Sequence, residues 1–385
     1  MLCDFYGIGQ QYQENYLTKY YAKLGHSVTL IASTFEDVRD YYNNKYDKRK
    51  RKSEIIKENI KIIRLPYSIN IFDKIRKYGK VRKILIEEKP DMIFVHGIHF
   101  NLSDAAWYKR KINENCRIIL DNHSDYSNSA NNWLSLKILN GIIRKQYLNF
   151  YKKYIDRIFV ITPEGMKFMN EVYGISYSEM ELLPLGCDYD LCEEVRQKCD
   201  KVLIRKKLNI ETDDFVIITG GKLNQNKKTD ILIDAIKLLN NPKIHLIIFG
   251  DCDDPSFIQL LKNKAEGLNV HFLGWLDEQK TIEMMNISDL AVYPACQSVL
   301  WQQSIGMYLP LIIGDYFNQD FEYLNKNNNI IVLPKKDIDT ENLKTNIENL
   351  INHKSKLEKM KVGAKKTINE FLDYNIITQK TIDFK

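Results

Sequence analysis

The sequence predicts an α/β protein made of two Rossmann-like domains, and three observations support this prediction. Short runs of β-branched and aliphatic residues alternate with helical patterns along the whole 385-residue chain. The alternation comes in two consecutive sets, and each set has a glycine-bearing turn near its start that leads into a helix. Alternation of this kind is typical of parallel sheets with helices on both faces. The chain is also long enough for two hydrophobic cores.

The first set predicts an N-terminal domain over residues 1–190. Gly7 and Gly9 form a turn before its first helix, and their lack of a Cβ would let the backbone approach a ligand closely. The strand before this turn is short, which leaves open either a truncated N-terminus or a trimmed sheet edge. The predicted strands are 28–31, 60–63, 92–95, 118–120 and 158–161.

The second set predicts a C-terminal domain over residues 191–365. The boundary is expected near the segment Pro184-Leu-Gly-Cys-Asp188, and a last helical stretch over 366–385 is expected to pack back on the first domain. The predicted strands are 215–219, 244–249, 270–273, 290–293, 311–313 and 330–333.

The stretch 220–230 reads Gly-Gly-Lys-Leu-Asn-Gln-Asn-Lys-Lys-Thr-Asp and directly follows an apolar run. This pattern predicts a buried strand, a sharp turn and a helix capped by Thr229. Lys222 and Lys227 would then lie at the carboxyl edge of the sheet, where open α/β sheets bind ligands. Two ammonium groups beside a helix N-terminus form a site for a diphosphate. The alternative interpretation is two solvated loop lysines.

Composition excludes several classes of protein. The hydrophobic fraction of 44% excludes wholesale disorder, and no apolar stretch approaches the ~20 residues that span a bilayer. The N-terminus has no basic-then-apolar signal segment. The seven scattered cysteines include no C-x-x-C pair, which predicts free thiols in a cytoplasmic protein and no zinc site.

Positive charge is concentrated in the first half of the chain. Residues 1–190 hold 30 Lys and Arg against 23 Asp and Glu, and the excess lies mainly at Lys48–Lys52 and within 74–83. The second cluster is interleaved with apolar residues from Ile71 to Val81, which predicts a basic amphipathic helix on an anionic membrane surface. Nucleic acid is the competing partner, but no nucleic-acid-binding motif accompanies the charge. We therefore expect a membrane and no nucleic acid.

Several segments resemble, in the same order, those of family 4 glycosyltransferases of the GT-B fold. The segment from Gly9 to Thr29 resembles the family's glycine turn, first helix and "G-H-x-V-T" strand entry, and Pro184-Leu-Gly-Cys-Asp188 resembles its "P-x-G-V-D" segment. Gly221-Lys-Leu-x-x-x-Lys227 resembles its "G-R-L-x-x-x-K" loop, with Lys222 in place of Arg. Phe272-Leu-Gly274 and Leu290-Ala-Val-Tyr-Pro294 resemble the turn along the nucleotide base and the strand before the sugar-binding loop.

The resemblance implies two facing Rossmann-like domains with an interdomain cleft, and retaining, metal-independent transfer from a nucleotide-diphosphate sugar. No cofactor is expected. The resemblance is closest to a branch that acts in bacterial capsular and cell-surface polysaccharide synthesis. The donor-binding residues that it implies are Gly7, Gly9, Gly221, Gly274, Trp275, Gln302, Gln303 and Ser304, the last with neighbouring backbone N–H groups.

The chain departs from the family at two glutamates that usually follow the proline corresponding to Pro294. Counting back from Pro310 places Ala295 and Gln303 at these positions. In the surface-polysaccharide branch, the matching residues are Gln297, in place of His, and Gln302, in place of Glu. Glutamine can hydrogen-bond a ribose hydroxyl or a phosphate oxygen, but it carries no charge and cannot act as a base.

His123 matches the histidine that lies beside the donor sugar in the resembling family. Together with Lys222 and Lys227 it is a predicted catalytic residue, with Asp125 expected to orient it. The alternative is a loop histidine that is only hydrogen-bonded to Asp125. His96 ends the preceding strand and, with Asp125 and Gln297, is a candidate contact for the acceptor or sugar. A metal site at the acidic loop 251–254 is not expected, because the family has a glycine-rich turn there.

These observations predict a cytoplasmic glycosyltransferase, peripheral on the inner face of the cell membrane. Its partners would be a nucleotide sugar, a surface-polysaccharide or lipid-linked glycan acceptor, and an anionic membrane. Three alternatives remain open at this point. One is a catalytically impaired glycosyltransferase-like subunit, which the glutamines would explain, and another is a nucleotide-sugar epimerase with the same fold. The third and least favoured is an NAD-dependent dehydrogenase, because the glycine fingerprint is incomplete and no acidic residue clearly follows the second strand.

Overall fold

The computed structural model describes residues 1–44, 52–57, 59–295 and 298–383, and for 52–57 it describes only the backbone. Contacts divide the chain into two compact units. Unit 1 is Met1–Pro184 with the described residues from Thr378 onward, and unit 2 is Leu185–Ile377. The division therefore falls six residues before the predicted start at 191, and only the end of the last helical stretch groups with unit 1.

Unit 1 is an α/β unit with a mainly parallel sheet. Its strands are β1 Val28–Ser33, β2 Lys52–Lys57, β3 Ile60–Leu65, β4 Tyr67–Ile71, β5 Ile75–Tyr78, β6 Met92–His96, β7 Arg117–Asn122, β8 Arg157–Val160 and β9 Met180–Leu182. Its helical segments are Gln13–Lys23, Val38–Asn44, Val81–Glu88, Leu102–Lys111, Tyr126–Ser129, Leu134–Arg144, Lys145–Tyr151, Lys152–Tyr154, Pro163–Phe168, Met169–Tyr173 and Tyr177–Glu179. The turns of Leu134–Arg144 and Met169–Tyr173 are π-helical.

The N-terminal residues join the two parts of this sheet. β1 and β3 are parallel with β2 antiparallel at the edge, and β6, β7, β8 and β9 form a parallel set. Leu2 pairs with Ile31 on one side and Val95 on the other. The short opening strand predicted from the sequence is thus the central link of the sheet. Leu2, Val95, Ile118 and other buried aliphatic side chains form the core beneath it.

The predicted basic amphipathic helix over 71–83 is wrong, because most of this stretch forms the antiparallel hairpin of β4 and β5. Phe72 and Asp73 have φ angles of 51° and 58°, which turn the chain between the strands. Arg76 Nη2 lies 2.6 Å from Asp4 Oδ2, and Arg82 Nε lies 2.8 Å from Asp104 Oδ1. These cations are therefore used within the fold. The other predicted basic cluster, from Lys48, lies outside the described residues apart from the backbone of its last lysine.

Unit 2 is a six-stranded parallel sheet with helices around it. Its strands are β10 Phe215–Gly220, β11 Ile244–Phe249, β12 Val270–Phe272, β13 Leu290–Tyr293, β14 Leu311–Asp315 and β15 Ile330–Pro334. Its helical segments are Tyr189–Lys198, Lys201–Lys207, Gln225–Lys227, Thr229–Leu239, Pro255–Lys264, Glu278–Asn286, Leu300–Gly306, Lys335–Asp337, Thr340–Asn352, Lys354–Thr367, Ile368–Leu372 and Tyr374–Ile382, the last of which continues into unit 1.

The strand order of unit 2 is β12-β11-β10-β13-β14-β15, with every neighbouring pair parallel. This is the doubly wound Rossmann order. The order reverses between β10 and β13, so the crevice at their carboxyl ends is the expected ligand site of the unit. The loops after Gly220 and Tyr293 begin at this point. Within the described residues, no helix of either unit is both long enough and apolar enough to cross a membrane.

Candidate active site

A cluster of two histidines and one aspartate lies at the carboxyl edge of the sheet in unit 1. β6 and β7 are parallel neighbours, and His96 pairs with Asp121 in their register. The polar side chains at the ends of the two strands therefore lie next to each other. Asp121 is fully buried, and its Oδ1 accepts the Gly97 amide at 2.8 Å. Its Oδ2 lies 3.1 Å from His96 Nδ1 and 3.0 Å from His123 Nε2. The two imidazole ring centroids are 4.3 Å apart.

The first helix adds two more polar side chains to this cluster. Gln13 Oε1 lies 2.7 Å from His123 Nε2, and Glu14 Oε2 lies 3.7 Å from His96 Nε2. Both side chains belong to buried residues at the start of the helix Gln13–Lys23. The cluster therefore combines five polar side chains from three chain segments.

The turn predicted at Gly7 and Gly9 brings this helix to the cluster. Gly9 is exposed with a φ of 78°, and Gly7 is buried, with its carbonyl accepting the Asn15 side-chain amide at 2.8 Å. The turn is thus fixed to the first turns of the helix, with Gly9 accessible to a ligand.

The electrostatics of the cluster favour a charged His96. Burial alone would lower the pKa of His96, but the carboxylates of Asp121 and Glu14 raise it to about 9. Burial likewise opposes ionisation of Asp121, but the two histidines hold its pKa well below the usual range. At neutral pH the group is therefore an imidazolium held between two carboxylates.

This arrangement fixes the hydrogen bonding of His123. Its Nε2 faces the acceptor oxygens of Asp121 and Gln13, so Nε2 carries the proton in the neutral ring. Nδ1 is then the acceptor that remains for a ligand hydroxyl. The predicted orienting role of Asp125 is wrong, because its carboxylate caps the helix Tyr126–Ser129 by accepting the amides of Ser127 and Asn128.

The same three residues are close enough to hold a metal ion. One ligand atom from each of His96, Asp121 and His123 lies within 4.8 Å of the others. A carboxylate only accepts hydrogen bonds, so the two ring nitrogens that face Asp121 act as donors to it, and an ion bound by all three residues would have to displace both protons.

In unit 2, the predicted phosphate loop lies at the switch point of the sheet. The turn after β10 packs against the turn after β11, where a Cβ on Gly250 would lie 1.8 Å from the Gly221 carbonyl oxygen. The φ angle of Gly250 is 123°, so only glycine suits this contact. A Cβ on Gly221 would lie 3.3 Å from Leu300 Cδ1. The loops that follow β10, β11 and β13 thus meet at Gly221.

The two predicted phosphate-binding lysines differ in their surroundings. Lys222 is more than half exposed, and its Nζ lies 2.5 Å from Asp253 Oδ2, which is also exposed. Lys227 is half-buried in the short helical turn Gln225–Lys227. The predicted cap at Thr229 is wrong by one position: Lys228, in a left-handed conformation, precedes the helix, and Thr229 is its first residue.

The turn predicted to lie along the nucleotide base is adjacent to this loop. The Gly274 carbonyl accepts the Gly250 amide at 2.7 Å, which ties the turn after β12 to the turn after β11. The side chain of the next residue, Trp275, is 73% exposed. An exposed indole beside the predicted phosphate loop presents a flat apolar surface to a ligand.

Gln302, Gln303 and Ser304 lie in the buried helix Leu300–Gly306. The Gln303 amide donates to the Val299 carbonyl at 3.4 Å, and Ser304 Oγ lies 2.9 Å from the Tyr293 hydroxyl. The expectation of free backbone N–H groups there is thus wrong for Gln303, because its donor is used inside the helix. Gln302 is 4% exposed, and its Oε1 has no hydrogen-bond partner within the described part of the chain. The candidate Gln297 lies outside the described residues.

Sequence reasoning missed Asp121 and Gln13. The signal available for Asp121 was its spacing from His123. Residues two apart in extended chain point to the same side, but Asp121 and Asp125 are both two positions from His123, so spacing alone did not choose between them. Gln13 offered no comparable signal, because its contact spans 110 positions in the sequence.

Two family models match the chain and together cover most of it. The model described as Glycosyltransferase Family 4 matches residues 9–191. The model described as Glycosyl transferases group 1 matches residues 200–367. A search of curated proteins finds no match to this sequence.

Solved structures of glycosyltransferases share the fold. A glycosyltransferase from Rickettsia africae ESF-5 is similar with a TM-score of 0.69 and 15% identity, over 96% of this chain and 92% of that chain. HepE from Anabaena, solved with UDP, has a TM-score of 0.67 and 15% identity, over 99% and 98% of the two chains. WaaG, a glycosyltransferase involved in lipopolysaccharide biosynthesis, has a TM-score of 0.59 and 15% identity, over 99% and 98%.

The two Rossmann-like units, the two family matches and these structural similarities agree with one another. The chain is therefore a glycosyltransferase of the GT-B fold, with a glycosyltransferase family 4 domain followed by a glycosyl transferases group 1 domain.

Proposed function

We propose that the protein transfers a sugar from a nucleotide-diphosphate donor to a surface-polysaccharide or lipid-linked glycan acceptor. Transfer retains the anomeric configuration and needs neither a metal nor a cofactor. The observation that carries the donor part is the loop from Gly221 to Lys227 at the switch point of the unit 2 sheet. Doubly wound sheets bind ligands at this point, and this loop brings two lysines to it.

Binding of the donor is assigned to unit 2. Lys222 and Lys227 neutralise the diphosphate, Gly221 allows its close approach, and Trp275 covers the base beside Gly274. Lys222 is already within reach of one anion, the Asp253 carboxylate, so a phosphate oxygen can replace that partner. HepE was solved with UDP and supports a uridine nucleotide as the first donor to test.

The chemical step is departure of the diphosphate from an oxocarbenium-like carbon. Negative charge grows on the leaving phosphate, and preorganised cations stabilise it, each worth roughly 3–4 kcal/mol in comparable sites. Lys222 and Lys227 supply these cations. His123 accepts a hydrogen bond at Nδ1 from a sugar hydroxyl, because Asp121 and Gln13 hold its proton at Nε2. Asp121 is thus a positioning residue for His123.

The acceptor and the cellular location are inferred from the sequence resemblance, from a similar fold and from the charge of the chain. The surface-glycan acceptor is supported by the sequence resemblance and by the fold of WaaG, a lipopolysaccharide enzyme. A lipid-linked acceptor fits the excess of 30 basic over 23 acidic residues in 1–190, since such substrates lie in anionic membranes. The protein would then act at the cytoplasmic face of the membrane.

The test is a thermal-shift panel with UDP, GDP, ADP, CMP and NAD, repeated on Lys222→Ala plus Lys227→Ala. A ligand at 100 times its dissociation constant adds about 2.7 kcal/mol to the free energy of unfolding. We expect one nucleoside diphosphate to raise the melting temperature of the native protein and not that of the double variant. A response to NAD alone, or an equal response in both proteins, would contradict the donor site.

Two further outcomes address the alternatives. A nucleotide shift without turnover of any nucleotide sugar would favour a catalytically impaired subunit, and activity restored by Gln302→Glu or Gln303→Glu would then trace the loss to the glutamines. Conversion of the donor sugar in the absence of an acceptor would favour an epimerase.

A further inference from the structure

We propose that the outer face of the helix from Leu134 to Tyr151 in unit 1 docks on the surface of an anionic lipid bilayer. The proposal refines the proposed function, since it locates the membrane contact that a lipid-linked acceptor requires. The proposed contact takes the place of the membrane-binding helix predicted over 71–83. Most of that stretch forms the hairpin of β4 and β5, and its two arginines, Arg76 and Arg82, are paired with aspartates.

The outer face of this helix is unusually apolar for a surface exposed to water. Trp133 is 65% exposed, Leu134 67%, Ile138 37%, Ile142 46% and Phe150 65%. We call these five residues the 133–150 face. The first four are spaced by one or four positions, so they share one side of the helix. Contiguous apolar surface of this kind marks an interaction site.

The opposite face attaches the helix firmly to unit 1. Asn140 is fully buried, donates to the Ser129 carbonyl at 2.7 Å and accepts the Tyr173 hydroxyl at 2.7 Å. Leu148 is buried in the core, and the Tyr147 hydroxyl donates to the Phe100 carbonyl at 2.6 Å. The exposed apolar side chains therefore belong to a fixed helix with two distinct faces.

The positive charge around the 133–150 face indicates an anionic partner. The segment 126–155 contains no acidic residue and five basic ones. Lys137, Lys145 and Lys153 have no ion-pair partner in the described structure, and only Lys152 is paired, with Glu179 at 2.7 Å. A helix that combines an apolar face with unpaired cations and an exposed tryptophan suits the interface of an anionic bilayer. The basic residues are Lys137, Arg144, Lys145, Lys152 and Lys153.

The docking face is connected to the candidate active site within unit 1. The Asn128 side-chain amide donates to the His123 carbonyl at 2.8 Å, and Asn140 holds the end of the same short helix at the Ser129 carbonyl. Ten positions separate His123 from Trp133 in the sequence. A helix lying on the bilayer would therefore keep the histidine loop near the membrane, where a lipid-linked acceptor presents its sugar.

The test is co-sedimentation of the full chain with vesicles of phosphatidylcholine alone and of phosphatidylcholine with phosphatidylglycerol at 7:3. The test variant is Leu134→Glu plus Ile138→Glu. The matched control is Val202→Glu plus Leu203→Glu on a helix of unit 2, which adds the same charge at residues 67% and 48% exposed. No donor or acceptor is needed, and the nucleotide thermal shift of each protein is measured separately.

We expect the native protein and the control to bind the anionic vesicles, with at least about a tenfold loss of partitioning in the test variant. Both variants should keep the native nucleotide shift, so a failed vesicle test and a failed donor site are distinguishable. Equal binding by the test variant, equal loss in the control, or no binding by the native protein would overturn the proposal. A native dimer in light scattering that the test variant abolishes would assign the face to a second copy instead and also overturn it.

Discussion

The polar groups of unit 1 and unit 2 that we assign to the reaction are held in opposite ways. In unit 1, Asp121 is fully buried and binds both His96 and His123. In unit 2, Lys222 lies on an exposed loop and has one exposed partner, Asp253. The first arrangement is buried and hydrogen-bonded without a ligand, whereas the second is exposed and can exchange its partner for an incoming anion.

This difference predicts how strongly substitutions in each unit change the free energy of unfolding. A buried charge network is costly to break, because removing one member leaves the others unpaired away from water. An exposed ion pair contributes about 0–1 kcal/mol, so it can be broken with little effect on stability. Changes in the unit 1 cluster should therefore reduce stability and activity together, while changes in the unit 2 loop should affect ligand binding alone.

The largest expected effect is that of Asp121→Asn. This change leaves the His96 imidazolium without its nearest carboxylate and should lower the free energy of unfolding by about 3–5 kcal/mol. It should also lower transfer activity by about 100-fold, since His123 loses the partner that orients it. Denaturant unfolding and initial rates measure the two effects. Asp125→Asn is the control on the same loop, and its helix cap tolerates asparagine. Greater damage in the control would contradict the assignment of Asp121.

The second effect is a dependence of stability on pH. The pKa of His96 is raised from 6.5 to about 9, so its stabilisation is complete below pH 6.5 and is lost as the pH rises through 9. The charged groups that act on it are Asp121, Glu14 and, at longer range, Asp4. We expect a fall of a few kcal/mol across this window in the native protein and a flatter profile in His96→Gln. Parallel profiles from calorimetry would contradict the charged state.

The third effect is a loss of nucleotide affinity when Lys222 of unit 2 is replaced. Lys222→Ala should weaken binding of the nucleoside diphosphate by about tenfold or more, since a charge-assisted hydrogen bond to phosphate is lost. Its melting temperature without ligand should stay within about 1 °C of the native value. Lys243→Ala is matched to it, because Lys243 is similarly exposed and paired with one aspartate, Asp213. Calorimetric titration should find native affinity in this control.

The smallest effect is expected for Asp253→Asn. Loss of this carboxylate frees Lys222 and should raise the affinity for the nucleotide by up to about fivefold, which corresponds to an exposed ion pair. The counterpart Asp213→Asn should leave the affinity unchanged. An affinity lowered by Asp253→Asn would mean that the aspartate itself contacts the ligand.

The sequence predicted the strands of both sheets well where they are buried and parallel. Such strands are short, nearly continuous apolar runs, and β10, β11 and β13 were recognised on this basis. The less buried hairpin of β4 and β5 was taken for a helix. Its basic residues are interspersed with apolar ones in a way that fits either period, and in the structure Arg76 pairs with Asp4 and Lys77 with Asp104.

In the candidate site, the features formed by consecutive residues were predicted, and the contacts between distant segments were not. The loop from Gly221 to Lys227 was found because a strand, a glycine turn and a helix are consecutive in the chain. The partners of His123 were not found, because Gln13 reaches it from 110 positions away and Asp121 was passed over for Asp125. The buried state of Gln302 and the exposed state of Trp133 were likewise invisible, since burial depends on what packs against a helix.

Local sequence was enough to specify the alternation of strands and helices, the two-unit organisation and the position of the loop from Gly221 to Lys227. These features follow from local periodicity and turn chemistry, which neighbouring residues encode together. Three-dimensional packing set the rest: Asp121 contacts both histidines, Lys222 pairs with Asp253, and the 133–150 face is exposed. Those outcomes depend on contacts and burial between segments far apart in the chain, for which local pattern carries no information.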